Sequence, residues 1–92
     1  MAVNVAEANV EVKNRLGLHL RAVSTLVKTL VGFSSTVTLI RGKQQVNARS
    51  VTALLMLGAG KGTKLKVKAE GEDAREAIAA VKQAFEEGFG ED

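Results

Sequence analysis

The stretch that decides the fold reads Thr63-Lys64-Leu65-Lys66-Val67-Lys68-Ala69-Glu70. Its apolar side chains alternate with lysines, and this period of two is typical of a β-strand with one buried and one solvated face. A strand of this kind belongs to an antiparallel sheet that is covered on one side. The rest of the chain is therefore expected to supply partner strands and a cover for the apolar face.

Three other segments carry the strand signal. Val10 and Val12 alternate with polar residues and predict a first strand near residues 8–14. Residues 36–41 are rich in β-branched side chains, and residues 44–48 look like a short return strand after a turn. Together with the lysine-rich segment they predict a four-stranded sheet.

The segment between residues 20 and 31 follows the helical period instead. Four of its apolar side chains fall at i, i+3, i+4 and i+7, which puts them on one helical face. They are Val23, Leu26, Val27 and Leu30. Gly32 then stands at a position where helices commonly end.

Two further helices are marked by residues that can cap them. Ser50 precedes the apolar run 51–57, and its hydroxyl can accept from an exposed backbone N–H. Asp73 followed by Glu76 resembles a capping box for a last helix. The expected buried stripe of that helix is Ala74, Ile78, Val81 and Phe85. The closing residues 88–92, GFGED, are expected to fray.

The predicted order is β-α-β-β-α-β-α, which indicates the α+β class. We expect a four-stranded antiparallel sheet with three helices on one face, because each strand and each helix has a single apolar side. The 92 residues contain no linker or repeat, so residues 1–92 are predicted to form a single domain.

Composition excludes several classes of function. The chain has no cysteine and a single histidine, so we expect no metal site, and no cofactor is predicted. The segment GAGKGT does not match a phosphate-binding loop, because Gly62 follows Lys61. The N-terminus lacks the basic region of a signal peptide, and no apolar run is long enough to insert into a membrane, which favours a cytoplasmic protein.

The net charge of +3 leaves nucleic acid to be considered as a partner. The lysine row of residues 64–68 could bind RNA, but the chain has no Tyr or Trp, and no aromatic side chain alternates with the lysines. Base stacking on a sheet needs such side chains. We therefore expect a solvated sheet face and no nucleic-acid partner.

His19 is the candidate for chemistry, because it immediately precedes a predicted helix and Arg21 lies two residues further on. The first turn of a helix presents unpaired N–H groups and a partial positive charge, and both favour an anion. The same field disfavours a charged imidazole, whereas attack on phosphorus needs a neutral one. Arg21 can add charge-assisted hydrogen bonds to phosphoryl oxygens.

The stretch that contains this histidine resembles a known family. Asn14-Arg15-Leu16-Gly17-Leu18-His19-Leu20-Arg21-Ala22 is similar to the G-[IL]-H-A-R-P-A pattern of the histidine-containing phosphocarrier protein HPr of the bacterial phosphotransferase system. Residues 33–35, 46–51, 57–62 and 71–74 also match, and the spacing is kept from about residue 8 to about residue 88.

The resemblance implies an HPr-like open-faced β-sandwich and a carrier of phosphate rather than an enzyme. In this family the residue at the position of His19 takes phosphate on its δ nitrogen from Enzyme I, which phosphoenolpyruvate charges, and passes it to IIA-type proteins in sugar transport. Arg21 takes the position of the arginine that assists transfer. Ser50 takes the position of the serine that a kinase and phosphorylase control in some bacteria. A monomer is expected.

The resemblance also implies a docking surface for these partners. Val51 and Leu55 are expected to form it on the second helix, with Thr52 and Gly58 at its edge. Leu20 and Ala22, beside the active centre, are expected to join it.

These last two residues depart from the family pattern, which has alanine and proline in their places. The alternative function is therefore an HPr-like regulatory module, of a nitrogen branch or under kinase control, that takes no part in sugar uptake.

Overall fold

The lysine-alternating segment forms the central strand of the sheet. In the computed structural model, which describes residues 4–91, the four strands are β1 (Val5–Glu11), β2 (Thr36–Arg41), β3 (Gln44–Asn47) and β4 (Lys64–Glu70). Their order across the antiparallel sheet is β1-β4-β2-β3, so β4 has a partner on each side. The alternation therefore lies where both edges of the strand are paired, and it decides which face of the sheet is buried.

Three helices cover the apolar face of this sheet. They are α1 (Leu20–Thr29), α2 (Val51–Leu57) and α3 (Ala74–Glu86). Leu65 and Val67 of β4 are buried beneath them, paired with Val10 of β1 and Leu39 of β2. The lysines of β4 lie on the opposite face, where Lys64 and Lys66 are exposed. The α+β class and the open-faced arrangement are confirmed.

The helices pack on this face through side chains that the helical period of the sequence predicted to be buried. The whole predicted stripe of α3, Ala74, Ile78, Val81 and Phe85, is buried. On α1 the buried residues include Val23 and Leu26, while Val27 is half-buried. None of the helices within residues 4–91 is long and apolar enough to cross a membrane.

The end of α1 differs from the sequence prediction. Gly32 does not end the helix in the left-handed conformation. After Thr29 the chain forms a 3₁₀ turn, Leu30–Gly32. The exposed carbonyls are bound by the Arg49 guanidinium, which donates to the oxygen of Leu30 at 2.7 Å and to those of Phe33 (2.7 Å) and Ser35 (2.9 Å). A side chain from a distant loop thus satisfies the carbonyl groups that a glycine-containing turn satisfies at other helix ends.

Asp73 is also used differently from the predicted capping box. Its carboxylate makes no cap on α3. It accepts instead from the amides of Ser34 at 2.8 Å and Ser35 at 2.9 Å, and from the Ser35 hydroxyl. These donors, above all the hydroxyl of Ser35, lower the pKa of Asp73 from its ordinary value of 3.8. The carboxylate therefore joins the start of α3 to the segment that leads into β2.

The ends of two strands differ slightly from the sequence prediction. β1 begins at Val5 rather than near residue 8, because Val5 and Ala6 pair with the last residues of β4, and it ends at Glu11 rather than near residue 14. β3 ends at Asn47, one residue short of the predicted end. Residues 1–3 and 92 of the expected single domain lie outside the described residues.

Replacing Asp73 by Asn is expected to lower stability at neutral pH, because an amide accepts more weakly than an ionised carboxylate. Since folding depresses the pKa of Asp73, its contribution is complete above the ordinary value of 3.8 and is lost as the pH falls through the folded value. The free energy of unfolding, measured with urea from about pH 7 to about pH 2, should therefore fall less steeply with falling pH in Asp73→Asn than in wild type. Glu72→Gln, at an exposed neighbour, is the control. The same decrease of the free energy of unfolding at low pH in both variants would contradict this account.

Gly17→Ala is expected to destabilise the fold by about 2–4 kcal/mol. Gly17 has φ +71°, and an added Cβ would lie 2.6 Å from the oxygen of Ala59 and 2.8 Å from the Cα of Gly60, both backbone atoms. Gly42→Ala is the matched control, because Gly42 has φ +58° and open space around it. That control should cost only about 1–2 kcal/mol in urea unfolding. Equal costs at the two sites would refute the close approach.

Candidate functional site

The loop between β1 and α1 is fixed in place by the segment that precedes β4. The amide of Val12 donates to the oxygen of Thr63 at 2.9 Å, and the amide of Leu18 donates to the oxygen of Ala59 at the same distance. Leu18 is buried, whereas its neighbour His19 is not. The loop therefore delivers His19 to the surface at a defined point at the start of α1.

His19 is the N-cap residue of α1. Its backbone is extended, with φ −87° and ψ 177°, and its carbonyl accepts from the amide of Val23 at 2.9 Å. Its Nδ1 accepts from the amide of Arg21 over a long 3.4 Å. The side chain is 30% exposed. The ring thus meets solvent, and its δ nitrogen faces the amides of the first helical turn.

The other ring nitrogen has a partner that the sequence analysis missed. Nε2 of His19 lies 2.7 Å from Oε1 of Glu91, whose side chain is only 16% exposed. The same oxygen accepts from Nδ2 of the buried Asn14 at 3.0 Å. The hydrogen bond from His19, followed by that from Asn14, lowers the pKa of Glu91 from its ordinary value of 4.5. Glu91 is therefore an ionised carboxylate beside the imidazole at neutral pH.

The C-terminal turn holds Glu91 in this position, and the expectation that it frays is wrong for the described residues 88–91. Residues Gly88–Gly90 form a turn in which Phe89 has the left-handed φ of 57°. The Phe89 ring is buried and meets Phe85 edge to face, with centroids 4.8 Å apart. Burying an aromatic side chain is worth more than the roughly 1–2 kcal/mol that the backbone conformation costs. Phe89 therefore anchors the turn to α3.

The two contacts of the imidazole define which nitrogen carries its proton. A carboxylate is only an acceptor, so Nε2 must be the donor. In a neutral ring Nδ1 then has the free electron pair, in agreement with the amide of Arg21 that it faces. The arrangement presents a nucleophile at Nδ1 next to amides that can bind an anion.

A cleft in front of the ring carries further positive charge. Arg15 and Arg21, both exposed, line it together with His19, Leu20, Phe89 and Glu91. Arg21 stands in the first turn of α1, and its positive charge helps to lower the pKa of Glu91. Within residues 4–91, no group of three or more His, Cys, Asp and Glu side chains could hold a metal ion.

Apolar side chains are exposed near this cleft and on α2. Leu20 is 60% exposed and Leu55 is 39% exposed. Leu16, in the loop before α1, and Met56, on α2, are 66% and 79% exposed and were missed, because periodicity marks only the buried side of a helix and says nothing about a loop. Val51 is half-buried against the core, whereas Thr52 and Gly58 are exposed.

Ala22 must be removed from the predicted docking surface. It is fully buried, because α1 turns this position towards the core. Ser50 lies at the start of α2, where its hydroxyl caps the helix by accepting from the amide of Ala53 at 3.2 Å. The structural part of the Ser50 prediction is thereby confirmed.

The comparisons with known proteins agree with this geometry. The model of the PTS HPr component phosphorylation site matches residues 6–87. The phosphocarrier protein HPr of Xylella fastidiosa (strain Temecula1) is 41% identical over 94% of this chain and 97% of its own. The phosphocarrier protein NPr of Escherichia coli (strain K12) is 42% identical over 90% and 93%.

A solved structure shares the whole fold. HPr-C-His from Thermoanaerobacter tengcongensis superposes with a TM-score of 0.90 and 38% identity, over 95% of this chain and 98% of that one. Family model, sequence relatives and structure point the same way, and the chain belongs to the HPr family of phosphocarrier proteins of the phosphotransferase system.

Proposed function

We propose that this phosphocarrier takes a phosphoryl group onto Nδ1 of His19 from Enzyme I and passes it to a IIA-type protein. The observation that supports this most directly is the orientation of the ring. Its Nδ1 faces the first turn of α1, and its Nε2 is bound to Glu91. A phosphoryl group on Nδ1 would therefore lie beside the helix amides and in contact with solvent.

The start of α1 suits such a group on electrostatic grounds. The amides of the first turn lack carbonyl partners one turn earlier, and the helix terminus acts as roughly half a positive charge. Arg21 follows immediately and can reach the same anion with charge-assisted hydrogen bonds. In the proposed function Arg21 stabilises the charge on the phosphoryl oxygens during transfer.

The site is that of a carrier rather than of a catalyst in the usual sense. It offers one nucleophile and anion donors at an open surface, and in the proposed function a second protein supplies the phosphoryl group and another removes it. Transient complexes of this kind bury a small area with an apolar centre and a charged rim. We assign the centre to a docking patch of Leu16, Leu20, Leu55 and Met56, with Val51, Thr52 and Gly58 beside it on α2.

Ser50 supplies regulation in this proposal. Its hydroxyl caps α2, the helix that carries Leu55 and Met56. A phosphate placed there by a serine kinase would add nearly two negative charges to the same helix. It would weaken docking of an acidic partner without unfolding a helix whose N-terminus favours anions.

The branch served depends on the acceptor. Identity to the relatives named HPr is 36–42% and to those named NPr 42–45%, so the two ranges meet at 42% and identity does not separate the branches. We propose sugar transport as the primary branch, and the second candidate is an HPr-like regulatory module outside sugar uptake. Purified IIA proteins of the two branches, offered separately to the phosphorylated chain, distinguish the two by the rate of transfer.

Incubation with phosphoenolpyruvate and Enzyme I is expected to add one acid-labile phosphoryl group to the chain. His19→Ala should abolish this gain completely, because the chain has no other histidine. Intact-mass spectrometry before and after brief acid treatment is the measurement. An acid-stable gain, or the same gain in His19→Ala, would place the phosphate elsewhere and reject the proposal.

Two variants are expected to separate chemistry from docking. Arg21→Ala should slow phosphorylation about tenfold or more with either Enzyme I or the small donor phosphoramidate, because it removes a charge-assisted contact. Leu55→Glu should slow transfer from Enzyme I about tenfold but leave the phosphoramidate reaction unchanged, because only the protein donor must dock. Arg75→Ala, at an exposed arginine of α3, is the control. A slowed phosphoramidate reaction in Leu55→Glu would contradict the assignment of the patch.

A further inference from the structure

The contact between Glu91 and His19 has a chemical consequence for the transfer itself. Oε1 of Glu91 binds Nε2 at 2.7 Å and therefore lies on the side of the ring opposite to Nδ1. The carboxylate does not block the nucleophile. It engages the one ring proton that must stay in place while the lone pair of Nδ1 reacts.

The ring gains charge when Nδ1 attacks phosphorus. The lone pair of Nδ1 forms the new N–P bond, and the bond from phosphorus to the donor's leaving nitrogen breaks, with its electron pair going to that nitrogen. Nε2 keeps its hydrogen, so the phosphorylated imidazole carries a positive charge. On transfer a nucleophilic atom of the acceptor forms a bond to phosphorus while the N–P bond breaks, its electron pair returns to Nδ1, and the ring becomes neutral again.

We propose that Glu91 is a positioning residue for this reaction, in that its carboxylate keeps the proton on Nε2 in both the free and the phosphorylated ring. The inference rests on the proposed function of His19. In the free ring the contact selects the tautomer with a lone pair on Nδ1. In the phosphorylated ring the carboxylate stabilises the positive charge and keeps Nε2 protonated, so that the ring can depart as a neutral imidazole.

The fold fixes this carboxylate firmly. Asn14 is buried and ties the same oxygen, at 3.0 Å, to the loop before α1, because its Nδ2 also donates to the oxygen of Gly17 at 2.7 Å. The amide of Glu91 donates to the oxygen of Gly88 at 2.9 Å. The buried ring of Phe89 anchors the turn that carries Glu91. Three independent contacts therefore bring a residue from the far end of the chain to Nε2.

The other charges at this site are positive. Arg15 and Arg21 line the cleft with His19 and Glu91. The backbone amide of Arg21 faces Nδ1, and the positive charge of its side chain helps to lower the pKa of Glu91. Glu91 is the negative group in contact with the ring, opposite the side on which the helix terminus attracts the phosphoryl oxygens.

The test compares Glu91→Gln with wild type and with Glu86→Gln, a change at an exposed carboxylate of α3. Glutamine keeps the size of the side chain and an acceptor oxygen but removes the charge. Proton–nitrogen correlation spectra of the free ring should show protonated Nε2 in wild type and Glu86→Gln, and an increased share of the other tautomer in Glu91→Gln. Far-ultraviolet circular dichroism and thermal unfolding verify that all three proteins are folded.

The phosphorylated ring gives the second readout, with phosphoramidate as the donor so that no partner protein is needed. The pH midpoint at which Nε2 loses its proton should fall by about one unit in Glu91→Gln, and phosphorylation should slow about tenfold. Glu91→Asp, which retains the charge, should recover part of the midpoint shift. A merely structural role of Glu91 would slow the reaction without moving the midpoint.

The outcomes separate the two proposals. Wild type that accepts phosphate on His19, with an unchanged tautomer and midpoint in Glu91→Gln, overturns the role of Glu91 and leaves the carrier function standing. Wild type that takes no phosphate from Enzyme I or phosphoramidate overturns the carrier function and the role of Glu91 in it. A changed tautomer and a lowered midpoint, absent from Glu86→Gln, support the proposal.

Discussion

The hydrogen bond from the amide of Leu18 to the oxygen of Ala59 determines where the first helix begins. It joins the loop before α1 to the loop before β4, and β4 is the central strand of the sheet. Gly17 allows this approach because no Cβ stands between the two loops. With Leu18 buried on one side and α1 beginning on the other, His19 has little freedom in its position. The backbone of His19 is therefore held by the sheet although its side chain meets solvent.

Local sequence patterns were sufficient to predict most of the fold. The alternation in β4, the β-branched run of β2 and the stripe of α3 each repeat over several residues, so the buried side of each element can be recognised without knowledge of the others. Ser50 was predicted as the cap of α2 on the same basis, because a cap acts on an amide only three residues away. The position of His19 at the start of a helix also follows from local order along the chain.

The hydrogen bonds that the sequence analysis missed at Arg49, Asp73 and Glu91 join distant segments. Arg49 caps the end of α1, Asp73 binds the amides of Ser34 and Ser35, and Glu91 reaches His19 across 72 positions of sequence. In each case a local motif suggested a different partner or none, and tertiary geometry offered a better one. Phe89 was the available signal for the last contact, because a large apolar residue between two glycines is a plausible anchor rather than part of a frayed end.

A phosphoryl carrier must satisfy two opposed requirements, since the group has to bind readily and leave readily. Strong anion binding alone would trap the phosphate, whereas a purely solvated histidine would give a partner no fixed geometry to engage. Here the amides of the first turn of α1 face Nδ1, the negative Glu91 contacts Nε2, and the positive charge of Arg21 helps to lower the pKa of Glu91. In the proposed function the helix amides stabilise the bound oxygens, and Glu91 stabilises the positive charge that the ring carries while it is phosphorylated. With a negative group at Nε2 and anion-binding amides at Nδ1, the proposal lets both requirements be met at the open surface of a small domain.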